Sequence, residues 1–242
     1  MAIVTRFTQE EIDEVFPYPA LREVAFEIRF SPRLRIDAEL WRLQDQLADE
    51  YPSVGTESAA TPAGSLLTIN VFKNGVSGRV IKVSHENFVV AFTRYSRFED
   101  FKAEVLAKVG AFCSTFGVSV VNRVGLRYVN DIVLPAEPEE SSLLRFVRPL
   151  MDFERLPIDS VEQFVNEVHL RHGDHRVTLR GVLLSPLDDS RQVYVLDIDC
   201  HSPTSQSAAA LAEVLDKFHD SAQKFFLDHI TEQLKQVMRG KS

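Results

Sequence analysis

No apolar run in this 242-residue chain approaches the roughly 20 residues needed to span a bilayer. The opening stretch, MAIVTRFTQEEIDEVF, is acidic and too short of apolar length to read as a secretory signal. Cysteine is scarce. Cys113 and Cys200, one in each half, make no disulfide framework, so a reducing cytoplasm is the expected setting. Positive charge is in deficit, with a formal net charge of −8. Nucleic-acid binding draws affinity from cations that neutralise phosphates. The densest arginine grouping, His169 to Arg180, holds three arginines and is thin for that task. Nucleic acid is thus disfavoured as a partner, and no membrane association is expected.

Catalytic signatures are missing too. There is no glycine-rich phosphate loop, no G-x-S-x-G elbow, no H-E-x-x-H and no C-x-x-C. Gly125, Gly173 and Gly181 interrupt strand-like stretches, but none sits in a phosphate-binding pattern. Cys113 lies beside an apolar helical face and reads as core rather than nucleophile. These absences weaken an enzymatic reading without excluding it, and no cofactor is expected.

What is present is an ordinary globular balance, 45% hydrophobic and 26% charged, and one strand pattern that occurs twice. Leu21 to Phe30 (LREVAFEIRF) and Val121 to Asn130 (VNRVGLRYVN) both alternate apolar and polar residues, the period of a strand with one covered face. Val24, Phe26, Ile28 and Phe30 point one way, with Val124, Leu126 and Tyr128 as counterparts. The other face carries Glu23, Glu27 and Arg29, echoed by Arg123 and Arg127.

Taken in order, Thr8 and Glu11 have capping-box spacing and start a short helix stopped by Pro17 and Pro19. Phe16 and Tyr18 are placed to tether it to the body. After the lead strand, Asp37 is the expected N-cap of a helix from Ala38 to about Tyr51, with Leu40, Leu43 and Leu47 on one stripe, Trp41 beside it and Pro52 ending it. Ser53 to Gly64 reads as a mobile loop. Strands follow at Ser65 to Phe72, Gly78 to Ser84 and Phe88 to Tyr95. Ser96 and Glu99 form a capping box for a helix to Phe116 whose apolar face includes Phe101, Val105, Val109 and Phe112, and Gly117 suits the residue after it. In the second half the lead strand, 119 to 133, is followed by the polar break PAEPEESS and a helix from Ser142 to about Met151. Strands at Phe164 to Arg171, Arg176 to Leu184 and Gln192 to His201 come next, with Gly173-Asp174 as a hairpin turn. A last helix runs from Ser207 to Val237, about 45 Å if continuous.

The expected fold is α+β: a tandem duplication of a strand-helix-three strands-helix unit, with antiparallel sheets, helices packed on one face and a pseudo-twofold saddle. Residues 1–18 form an N-terminal segment with a short helix, 19–118 the first repeat, and 119–242 the second with its long C-terminal helix. The competing reading is one large α+β sheet whose halves match by chance.

A sheet covered on one side leaves its polar face open for a site. Glu27 and Arg127 occupy equivalent lead-strand positions, and a Glu27–Arg127 pair would set the register if those strands lie side by side. Arg29 and Arg180 complete the candidate binding residues. Asp197, Asp199 and His201 fall on one face of a strand, with His169 on a strand of the same sheet. Carboxylates and imidazole suit a divalent metal, and ion pairing with Arg176 and Arg180 is the competing account. His172 and His175 face each other across the hairpin, a pair able to hold metal or respond to pH, or simply exposed turn histidines.

Three stretches carry a resemblance: PYPALREVAFEIRF (Pro17 to Phe30), the Trp41 helix ending in Tyr51-Pro52, and RVGLRYVNDI (Arg123 to Ile132). Together they resemble a sporadically distributed family of uncharacterised bacterial proteins of about this length. The resemblance implies no activity and no catalytic residues. The patchy distribution is typical of genes moved between genomes, including those of phage defence and toxin–antitoxin systems. The expectation is therefore a non-enzymatic cytoplasmic protein that binds a protein partner on its open sheet faces, in a bacterial defence or toxin-neutralising role. The alternative is a small-ligand sensor or metal-dependent hydrolase using the polar sheet face of the second repeat.

Overall fold

A computed structural model describes residues 7–60, 64, 66–135, 143–150, 161–184 and 191–240. The fold is mixed α+β, built on a large antiparallel sheet. Its strands are β1 (Leu21–Arg29), β2 (Ser53–Ala60), β3 (Leu66–Asn74), β4 (Arg79–Val83), β5 (Asn87–Phe92), β7 (Arg123–Val133), β8 (Phe164–His172), β9 (His175–Leu184) and β10 (Val193–His201). They are ordered β2-β3-β4-β5-β1-β7-β10-β9-β8, and the short β6 (Val120–Val121) and β11 (Gln206–Ser207) form a separate pair. The helices are α1 (Gln9–Ile12), α2 (Arg35–Leu47), α3 (Phe98–Phe116), α4 (Leu143–Phe146), α5 (Leu211–His229) and α6 (Glu232–Met238). The chain divides into two compact units: residues 23–126 with 201–217, here the N-terminal unit, and residues 1–22, 127–200 and 218–242, the C-terminal unit.

In the N-terminal unit, alternation in β1 buries Val24, Phe26 and Ile28 while Glu23 and Glu27 stay partly exposed. α3 covers that apolar face. Phe112 stacks on Phe88 with ring centroids 4.4 Å apart, and Phe101 meets Phe92 edge-on at 5.1 Å. Gly117 ends α3 at φ +67°, the left-handed conformation that is cheap for glycine.

Three sequence expectations in this unit are corrected. The Ser96/Glu99 box does not form. α3 starts from Arg97 without a side-chain cap, because Ser96 donates to the Asp100 carboxylate at 3.0 Å and Arg97 reaches the same group at 3.1 Å. α2 begins at Arg35, not Ala38, because Ile36 is drawn fully into the core; Asp37 lies in the first turn without capping it, and Trp41 stays 61% exposed. Ser53 to Ala60 is a strand, paired with β3 from Ser53↔Lys73 to Ala60↔Leu66. β2 ends the sheet and is exposed along almost its whole length. It covers no core, so its side chains need no apolar period, and backbone pairing accepts small residues. Positions 61–63 and 65 of the expected loop lie outside the described residues.

In the C-terminal unit, β8 and β9 form a hairpin around Gly173, at φ +62°, in unbroken register from Phe164↔Leu183 to His172↔His175. Val177, Leu179, Leu196 and Ile198 supply the strand side of the core, and Phe218, Ala222 and Phe226 the α5 side. The expected continuous last helix is interrupted. Ile230 bridges to Val147, the Thr231 amide donates to the Phe146 carbonyl at 3.0 Å, and Thr231 caps α6 by accepting from the Leu234 amide. Pairing with the α4 segment diverts the chain. α4 itself is a single described turn where Ser142 to Met151 was expected, and those two end residues lie outside the described set, as does 136–142 of the polar break. The N-terminal segment joins this unit. Thr8 and Glu11 form the full capping box, Arg239 clamps Glu14 through two bonds of 2.6 and 2.7 Å, and the Arg239 guanidinium lies over Phe16. Tyr18 is 69% exposed and tethers by its amide, which donates to the Met238 carbonyl.

Candidate functional site

The open face of the C-terminal unit is laid out by strand alternation. β8 turns Phe164, Asn166, Val168, Leu170 and His172 inward and exposes Val165, Glu167, His169 and Arg171. β9 buries His175, Val177, Leu179 and Leu183 and leaves Arg176, Thr178, Arg180 and Val182 on the other side. The register places Arg171 directly opposite Arg176, His169 opposite Thr178, and Glu167 opposite Arg180. On these two strands, three arginines stand against one glutamate. Among the described residues none of the three sits in an ion pair. Glu167 is drawn to His169, 2.9 Å from its Nε2, and His169 Nδ1 meets Thr178 Oγ1 at 3.1 Å. Like charges directly opposed across a ladder are destabilising. The Arg171/Arg176 pair is thus an energetic cost in the isolated protein.

On β10, Asp197, Asp199 and His201 fall on one side of the strand, as their spacing implies. Asp197 is taken by Arg127, which donates to both carboxylate oxygens at 2.8 and 2.6 Å; the Asp197 side chain is only 13% exposed. Such two-pronged pairs are the strong, geometry-specific form of the ion pair. Among the described residues no group of three or more His, Cys, Asp or Glu side chains is arranged to hold a metal ion. The expected alternative partners of the β10 carboxylates, Arg176 and Arg180, yield to Arg127 for Asp197.

Of the expected Glu27–Arg127 pair, each member has a partner within its own unit. Glu27 accepts from Arg123 at 2.6 Å and lies 3.0 Å from Arg29, within the N-terminal unit. The geometry depends on Gly125: a Cβ there would meet Arg123 Nη1 at 2.7 Å, so the absent side chain is what lets the guanidinium lie along the strand. Arg123 was visible as a polar-face residue, and the neighbouring glycine is the signal that it lies flat.

His172 and His175 do face each other, with ring centroids 5.2 Å apart, but on the inner side of the hairpin rather than as exposed turn residues. His175 is 3% exposed and packs on Phe218, while His172 meets Phe225. Nearby on the same helix, His219 shares a 2.8 Å bond with the Tyr128 hydroxyl, a buried contact that strand period alone does not reveal. Both cysteines are buried, and burial raises both thiols, Cys113 to about 11, so neither is poised as a nucleophile.

The N-terminal unit carries a cleft of about 410 Å³ lined by Arg79, Phe92, Arg94, Ser96, Asp100 and Glu104. Its charges are already engaged. Arg79 pairs with Glu104, which also accepts from the Tyr51 hydroxyl at 2.6 Å; Arg94 donates to the Val76 carbonyl; Asp100 holds Ser96 and Arg97. Burial, then the bond to Glu104, raises the Tyr51 phenol. A ligand entering here would have to break those bonds, whereas Arg171, Arg176 and Arg180 sit in no ion pair among the described residues. No family model matches the chain, and no curated protein matches it.

Proposed function

We propose that this chain is a non-enzymatic binding protein of the bacterial cytoplasm that holds a protein partner on the open sheet face of its C-terminal unit. The single observation that carries the reading is the arginine cluster on β8 and β9. Arg171, Arg176 and Arg180 share one exposed face, two of them directly opposed, in a chain of net charge −8. An acidic partner surface relieves that repulsion. A role in bacterial defence or in toxin neutralisation extends the proposal, together with membership of the sporadically distributed family that the lead strands resemble.

The same reading includes a doubled origin for the fold. What supports it is the recurrence of strand order: β1 lies beside β5, then β4 and β3, as β7 lies beside β10, then β9 and β8. The pseudo-twofold saddle expected from such doubling belongs to the proposal, and small-angle scattering tests it.

The binding test is affinity capture with the full chain, compared with a variant carrying Arg171→Ala, Arg176→Ala and Arg180→Ala and with an Arg42→Ala control on α2. A partner captured by the wild type and control but lost by the triple variant supports the reading. Equal capture by all three removes this face from consideration.

A further inference from the structure

We propose that the outer edge of β8 accepts an extended acidic segment of the partner as an additional strand. This rests on the reading of the open face as a partner surface and adds how the partner is held. β8 is last in the sheet order, and among the described residues no strand pairs with its outer edge. Its nine residues keep an unbroken ladder with β9, so no bulge twists the edge away. It contains neither proline nor lysine, two devices that proteins use to block an edge. Outward backbone N–H and C=O groups of such a strand are ready to form a further ladder.

Charge selects the occupant. A strand laid along β8 sets every second side chain on the open face, beside Val165, Glu167, His169 and Arg171. Carboxylates near Arg171 neutralise the Arg171/Arg176 pair; near Glu167 an apolar or hydroxyl side chain fits better. Arg180 adds a second positive position opposite Glu167. A nucleic-acid strand could neutralise the arginines but has no peptide groups to extend the ladder, so the two ingredients together favour an acidic polypeptide.

The test is fluorescence anisotropy of the full chain with a labelled eight-residue peptide, Glu-Val-Glu-Val-Thr-Val-Glu-Val, whose threonine falls beside Glu167 when the added strand runs antiparallel to β8. Its comparators are the same peptide N-methylated at alternate amides, a lysine-for-glutamate peptide, and an eight-nucleotide oligothymidylate. The glutamate peptide binds, and N-methylation or lysine substitution each weakens binding about tenfold or more. An Arg171→Glu, Arg176→Glu variant with unchanged circular dichroism and melting loses the glutamate peptide. Equal binding of the N-methylated peptide overturns strand addition while leaving charge-based capture on the face intact. Tighter binding of the oligothymidylate overturns the choice of partner. Absence of peptide binding, with arginine-dependent capture of the partner retained, overturns the edge alone; loss of both overturns the reading beneath it.

Discussion

Single residues carry much of the energetic interest of this molecule. Asp197 is nearly buried and is satisfied by Arg127 through two bonds. Arg127→Ala leaves that carboxylate without its clamp and should cost about 1–3 kcal/mol in urea denaturation, the penalty for stranding a polar partner. Arg127→Ala with Asp197→Ala should recover part of the loss; equal loss in both would mean that the pair contributes nothing specific. The Arg171/Arg176 pair predicts the opposite sign. Arg171→Thr removes a like-charge opposition and should raise stability by about 0.2–1 kcal/mol. A surface substitution that stabilises the fold yet weakens capture of a partner is what a residue kept for binding would show. His229 links the fold to pH. Burial lowers its pKa below the usual 6.5, while its Nδ1 keeps a bond to the Phe225 carbonyl. The folded chain therefore resists a proton that the unfolded chain accepts. The contribution is complete above about pH 6.5 and is lost as pH falls through the folded value. Melting temperature between pH 7.5 and 5.5 should fall less steeply in His229→Gln than in the wild type.

At the scale of elements, legibility followed burial. β1 and β9 each have one covered face, and β7 and β10 keep the alternation along most of their length, so hydrophobic alternation marked them in the sequence, and the α3 stripe of Phe101, Val105, Val109, Phe112 and Phe116 did the same for a helix. β2 covers nothing, and no periodicity could reveal it. The break at Ile230 and Thr231 is imposed by Val147 and Phe146, more than eighty positions earlier, so local helical spacing ran straight through it. Capping was legible where the box is the only local bond on offer, as at Thr8, and misleading at Ser96, where Asp100 competes. At the site, the strand faces of Asp197, Asp199, His201 and His169 were readable, but the Arg127 clamp and the Glu27–Arg123 contact depend on which strands become neighbours. Thr231→Ala should cost about 1 kcal/mol in thermal unfolding, the usual value of an N-cap, with the loss confined to α6 amide exchange. Gly181→Ala should cost about 1–3 kcal/mol by overpacking, because a Cβ there meets the Tyr194 hydroxyl at 2.4 Å and Asn166 Oδ1 at 2.6 Å. Full stability in Gly181→Ala would show that the inner face yields more readily than its packing implies.

For the whole molecule, the important contrast is between a net charge of −8 and a local excess of arginine on β8 and β9. General repulsion discourages polyanions at long range, while on the proposed reading the cluster selects acidic groups at short range. Added salt, with a screening length near 10 Å at 0.1 M, should weaken capture of the partner. No helix among the described residues is long and apolar enough to cross a membrane. Among the described residues no three His, Cys, Asp or Glu side chains are grouped to hold a metal ion, and burial raises both thiols. Hydrogen–deuterium exchange of the chain with and without its captured partner tests the proposed binding face most directly. Protection concentrated at 164–184 is the predicted result; protection confined to the cleft around Arg79 and Arg94, with 164–184 unchanged, would contradict it.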